Sequence, residues 1–181
     1  MQLKLHYVSG GIGWHDPQRI VGKVDRGLAS WGEGQLDAGV TSDDTVLAFR
    51  PAPGTEVPLH DRNYRRLFQR MAVNYLRVGE EIVRVGEFAN LDQPVWRLLH
   101  CQRGCGGTKA AAHEAGTEAA GLYVPYNQNL VPDLDSSLLK EIAKEFADLV
   151  NEVGGDHLVF DGWEIHAHEP WGQEKFTSLV Y

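Results

Sequence analysis

Apolar residues recur at helical spacing between Leu138 and Val153, as Leu138, Leu139, Ile142, Phe146, Leu149, Val150 and Val153. This is the clearest periodic signal in the chain. The run Val131-Pro-Asp-Leu-Asp-Ser-Ser137 offers several N-caps ahead of it and Gly154-Gly155 ends it, so capping and periodicity agree on a helix. A continuous apolar run, Leu158-Val159-Phe160, follows after a short link and stops at Asp161. A strand buried on both faces of a parallel sheet has that texture, and the short link suits a helix feeding a parallel strand. At the other end of the chain, Leu3, Leu5 and Tyr7 alternate with Lys4 and His6, which predicts a strand leading into the loop Ser9–Gly13. His15 and Asp16 then lie on irregular backbone, because Pro17 disfavours helical geometry at the residue before it. Residues 171–181 predict the start of a further helix.

From about Val40 the texture changes to short apolar stretches split by Pro51, Pro53-Gly54 and Pro58. The segment Tyr75–Val85 reads as a hairpin turning at Gly79-Glu80, with Leu76, Val78, Ile82 and Val85 as buried positions and a one-residue slip of phase at the turn. Trp96–Cys101 supplies another strand. The string from Cys101 to Gly116 carries glycines at turn positions and Arg103, Thr108 and His113 as hydrogen-bonding anchors. Stitching of a hairpin explains it without chemistry. The chain therefore divides into residues 1–39, a first strand and loop; 40–122, an inserted β module; and 123–181, a helix, a strand with an acidic tip and a following helix. The expected fold class is α/β, a partial (β/α)8 TIM-barrel-like region interrupted by a small mostly-β module. A whole barrel takes about 250 residues, and this chain has 181, so the pattern reads as a fragment.

Composition narrows the partners. A net charge of -8 with no lysine-rich or arginine-rich block argues against nucleic acid. The nearest basic cluster, Arg62, Arg65, Arg66 and Arg70, accompanies Leu67 and Met71 and reads as a solvated face. No run reaches the length of a membrane span, and residues 1–20 lack the basic start and apolar stretch of an export signal. Secretion or a periplasmic location is an expectation for a longer parent protein only. Cys101 and Cys105 have no second pair to complete a four-ligand zinc site. Two free thiols are the simpler reading, with a local disulfide as the alternative in an oxidising compartment.

The chemistry concentrates after Phe160. Cleavage of a glycosidic bond requires one carboxylate to attack or to activate water and one carboxylic acid to protonate the leaving oxygen. Asp161, at a strand tip, suits the first role, and Glu164 suits the second or a hydrogen bond to a sugar hydroxyl. Trp163 offers a flat apolar surface for a sugar ring. His6, His15 and Asp16 approach the same mouth if the first and last strands are parallel neighbours, making them candidates for substrate binding. An Asp-Gly turn whose acid caps backbone groups is the structural alternative, and His6 reads equally as a hydrogen-bonded core residue. His166 and His168 have the alternate spacing of a metal pair that Asp161 could complete, which makes metal-dependent hydrolysis another alternative. That spacing is permissive, and an exposed loop accounts for it, so neither a metal nor a cofactor is assigned.

Three passages carry a resemblance: the strand and loop around His6 and Asp16-Pro17; the hairpin from Arg77 to Gly86 with the string from Cys101 to Gly116; and Asp133-x-Asp-Ser, Asn151-Glu and Phe160-Asp-Gly-Trp-Glu164. The sequence resembles bacterial proteins classed as glycoside hydrolases, with a TIM-barrel catalytic region and an inserted β module. The resemblance implies a carbohydrate substrate, with Asp161 and Glu164 at the acidic positions of the motif. The rest of such a barrel is missing from this chain, so a second catalytic acid could lie beyond Tyr181. The string from Arg103 to Gly116 is similar to hairpins of phage tail and surface proteins, which favours a different expectation: a noncatalytic carbohydrate-binding or surface-assembly module.

Overall fold

The links between strands decide this architecture. The computed structural model describes residues 4–8, 10–57, 72–125, 129–154, 157–161, 163–166 and 171–180, with backbone alone for 4–8, 72, 157, 158, 160, 161, 163, 164 and 173. In chain order the strands are β1 (Lys4–Val8), β2 (Ile12–Gly13), β3 (Ser30–Leu36), β4 (Leu47–Pro51), β5 (Ala72–Val78) and β6 (Glu81–Arg84), then β7 (Glu87–Ala89), β8 (Trp96–Leu99), β9 (Gln102–Cys105), β10 (Glu118–Val124), β11 (Asn129–Leu130) and β12 (His157–Asp161). The helices are α1 (Ser137–Glu152) and α2 (Gly172–Val180), with a 3-10 turn at Trp163–His166 between β12 and α2.

Eight strands form one antiparallel sheet in the order β7-β8-β4-β3-β10-β5-β6-β9. Gly79 and Glu80 alone join β5 to β6, Val85 and Gly86 join β6 to β7, and His100 and Cys101 join β8 to β9. Parallel neighbours require a crossover of about a dozen residues or more, so links this short return the chain antiparallel or carry it across to the other end of the sheet. The last two links also bend it. The pairs β7-β8 and β6-β9 stand at opposite ends of the strand order, yet each link allows a Cα span of no more than about 11 Å. The sheet must therefore curl until its ends approach, and the Gly86 N–H donates to Leu99 O at 3.0 Å where they meet.

Curling gives the sheet a concave face that buries its own core. Leu36, Leu47, Phe49, Leu76, Val83 and Leu98 are fully buried together there, and Phe49 packs on Trp96 with ring centroids 5.7 Å apart. Each such side chain stabilises the fold by about 1.5–3 kcal/mol. One end of this core depends on a bulge. Gly121 pairs with Gly32 while Leu122 pairs with Ser30, so Trp31 is the extra residue in β3. Its ring occupies the space over Gly121, where an added Cβ would lie 1.9 Å from Trp31 Cε2.

The convex face packs differently. Ile82, Leu122 and Val124 meet Ile20, Val24 and Leu28 from the loop before β3, Leu139 and Ile142 from α1, and Phe176 from α2. The slip of phase in the β5–β6 hairpin thus has a cause: Leu76, Val78, Val83 and Val85 enter the concave core, whereas Ile82 enters the convex one. The α1 helix begins where the Ser136 hydroxyl accepts from Leu139 N at 3.3 Å and ends before Gly154, whose φ is +64°.

These findings correct the expected fold class. Among the described residues the protein is mostly β, with antiparallel sheets and two short helices, and is not a partial (β/α)8 TIM barrel. The one parallel pair among them is β1 with β12, in register Lys4–His157 to Val8–Asp161. A single pair of this kind has the same apolar texture as a barrel strand. A (β/α)8 unit repeats strand, helix and strand, but the short links of residues 72–105 leave no room for crossover helices. Residues 30–36, placed by pattern with the first strand and loop, supply β3 to the large sheet. The cluster Arg62, Arg65, Arg66 and Arg70 lies outside the described residues.

Candidate functional site

Three places concentrate polar groups, beginning with the strand tip singled out by sequence. Backbone register sets Val8 beside Asp161 and His6 beside Val159, so β1 and β12 are parallel neighbours. Trp163 and Glu164 begin the 3-10 turn that follows. His15 and Asp16 are engaged elsewhere. The Asp16 carboxylate accepts from Gln18 N and Arg19 N, both at 2.9 Å, and from Arg19 Nη1 at 3.2 Å. Arg19 also donates to Glu145 of α1 at 2.5 Å, so Asp16 organises a turn and ties it to the helix. Trp14 and His15 lie against Gly106 and Gly107 in the turn after β9, and neither glycine leaves room for a Cβ beside them. His166 is fully buried and stacked on Phe176, so the expectation of an exposed His-x-His loop fails at this residue. His168 lies outside the described residues. Among the described residues no group of histidine, cysteine and acidic side chains has the arrangement of a metal site.

The second place is a buried carboxylate. Glu81, only 1% exposed, shares the alternation of Val83 and Val85. Its Oε1 accepts from Arg103 Nε and Gly104 N, both at 2.8 Å. Its Oε2 accepts from Arg103 Nη2 at 2.7 Å, His113 Nε2 at 2.9 Å and Ala111 N at 3.2 Å. Burial pushes the carboxyl pKa up, but the fork of Arg103, His113 and the two backbone N–H groups outweighs it and holds Glu81 below the usual carboxylate range. Arg103 Nη1 donates to Thr41 O at 2.6 Å and Asp44 O at 3.2 Å, while Nη2 also reaches Ala111 O at 2.7 Å. Thr108 completes the clamp by donating to Cys105 O at 2.7 Å and accepting from Ile82 N at 3.0 Å.

Arg103, Thr108 and His113 were legible as anchors, but their hub was missed. The signal lay in alternation: Glu81 falls in phase with Val83 and Val85, and an acid on a buried face requires a partner. The two thiols are free and sit in different surroundings. Burial pushes the Cys101 thiol up to about 11, and it also raises Cys105. Protonated thiols of this kind are poor nucleophiles.

The third place is a cleft of about 760 Å³ on the convex face, lined by Arg26, Glu33, Gln35, Arg50, Arg77 and Glu118 with the neighbouring backbone. Alternation explains the polarity, because Gln35, Arg50, Arg77 and Glu118 adjoin Leu36, Phe49, Leu76 and Ala119, all in the concave core. Register aligns them into two rows. Arg50, Gln35 and Glu118 stand opposite one another across β4, β3 and β10; Glu33, Ala120 and Arg77 do so across β3, β10 and β5. Arg26 Nη1 donates to Glu118 at 2.7 Å, and Arg50 pairs with Asp37.

Comparison of the chain with known families, curated proteins and solved structures finds no match. The TIM-barrel assignment is corrected by the architecture, which among the described residues is a β-rich fold with two short helices, and the comparisons give no support to a glycoside hydrolase. No helix among the described residues is long and apolar enough to cross a membrane.

Proposed function

We propose that this chain is a noncatalytic carbohydrate-binding module and that the cleft on the convex face of its curled sheet receives the sugar. The observation that carries this reading is the cleft lining. Glu33, Gln35 and Glu118 offer acceptors and Gln35, Arg26 and Arg50 offer donors, all within one groove of about 760 Å³. Sugar hydroxyls are donors and acceptors at once, and orienting them takes converging polar groups of both kinds. The Glu81 clamp supports the reading indirectly. It absorbs the distinctive Arg-Gly to His-Glu string into the framework, with the partners of the buried carboxylate already supplied by the protein.

Isothermal titration of the full chain against a panel of neutral and acidic oligosaccharides tests this reading, together with a reducing-sugar assay on the same panel. The expected outcome is saturable binding without release of reducing ends. Release of reducing sugar by the chain, abolished by Asp161→Asn, would overturn it.

A further inference from the structure

We infer that the convex cleft is selective for sugars bearing a carboxylate, such as uronates, and that Arg77 is the residue that receives that group. The inference rests on the carbohydrate-binding reading and specifies its ligand. Arg77 forms part of the cleft wall and is only 8% exposed, yet its Nη1 is buried without a hydrogen-bond partner. Among the described residues no carboxylate stands within ion-pair distance of it. The other cleft cations are engaged, Arg26 with Glu118 and Glu80, and Arg50 with Asp37.

An arginine cannot relieve this situation by losing its proton. A largely buried guanidinium with one donor shielded from water and unsatisfied is costly to the fold, and an oxyanion arriving in the cleft offsets that cost. The planar fork matches a carboxylate with two parallel N–H donors. A sugar acid fits the remaining wall better than a bare anion. Glu33, one strand beyond Ala120 in the same row, would repel a free anion but can accept from the hydroxyls of a uronate ring. Gln35, in the neighbouring row, adds a donor and an acceptor.

Titrating the full chain with galacturonate and glucuronate oligosaccharides, with neutral oligosaccharides of equal length and with acetate separates the possibilities. Uronate binding that exceeds neutral binding at least tenfold, weakens with salt and falls at least tenfold in Arg77→Gln is the expected result. Gln35→Glu adds a negative charge at an exposed cleft position without touching either core. It should weaken uronate binding severalfold and by clearly more than it weakens neutral sugars, which lose only the Gln35 amide donor, and this difference guards against a folding defect in Arg77→Gln. Neutral sugars bound as tightly as uronates, or uronate affinity unaltered by both substitutions, would overturn the carboxylate seat while leaving the binding module intact. Acetate bound as tightly as the uronates would overturn the sugar-acid assignment. Failure of every oligosaccharide to bind would remove the carbohydrate-binding reading and this inference with it.

Discussion

Glu81 and Arg77 are opposite charges on the two strands of one hairpin, both more than nine-tenths buried, yet their surroundings differ completely. Glu81 is met by Arg103, His113 and two backbone N–H groups, whereas Arg77 has an unpartnered Nη1 and lines a cleft. A buried charge whose partners come from the same chain is framework, and removing one partner exposes the full desolvation cost of the other. A buried charge lacking them is a place where the fold gives up stability. Local conflicts of this kind are expected at functional sites.

The comparison predicts opposite outcomes for similar substitutions. Glu81→Ala strands the Arg103 guanidinium and orphans Gly104 N and Ala111 N, so urea denaturation should show a loss of about 3–5 kcal/mol. Arg77→Met keeps the aliphatic stem and removes an unpaired charge. Its unfolding free energy should stay within about 1 kcal/mol of the parent, or rise. A loss from Arg77→Met as large as that from Glu81→Ala would erase the distinction between the two sites.

Arg103→Lys tests whether geometry or charge makes the clamp. Lysine keeps the charge but has no planar fork to span both carboxylate oxygens while reaching Thr41 O and Ala111 O. A loss of about 1.5–3 kcal/mol is expected, consistent with forfeiting one of the two charge-assisted hydrogen bonds to the Glu81 carboxylate. If the Arg103→Lys variant kept full stability, simple charge pairing would suffice and the bidentate argument would fail.

Acid titration separates the sites by sign. The Glu81 carboxyl lies below its ordinary value in the folded protein. Its contribution is therefore complete above the unfolded carboxyl pKa, roughly 4.3, and is lost as pH falls through the lower folded value. Stability measured by urea midpoint should fall along that acid limb in the parent and fall less in Glu81→Gln. Arg77→Met should leave the limb unchanged, because arginine does not titrate there.

Local structure was readable in the sequence wherever one period dominated. The seven apolar positions from Leu138 to Val153 specify α1, and the alternation around Gly79-Glu80 specifies the β5–β6 hairpin. Topology was another matter. Leu158-Val159-Phe160 looks the same in a repeated parallel barrel and in a single parallel pair, since periodicity records burial and not the neighbour that causes it. The curl of the sheet was encoded in the short links Val85-Gly86 and His100-Cys101, but only the strand order shows that they join opposite ends. The cleft was least legible, because Arg50, Arg77 and Gln35 are remote in sequence and meet only through register across β4, β3, β10 and β5.

The smallest expected effect is also the one that isolates the cleft from the fold. Arg26 bridges Glu80 and Glu118 at the mouth with about half of its side chain exposed. Exposed pairs of this kind are worth about 0–1 kcal/mol and weaken with salt. Arg26→Gln should therefore change the urea midpoint barely, in contrast to Glu81→Ala. It also frees Glu118, adding negative charge to a groove proposed to receive a carboxylate. Uronate affinity should consequently fall more than stability does, and the difference should shrink as salt rises. Equal losses in stability and affinity would mean that Arg26 holds the cleft together, whereas a loss confined to binding means that Arg26 tunes the charge of the groove while Arg77 receives the carboxylate.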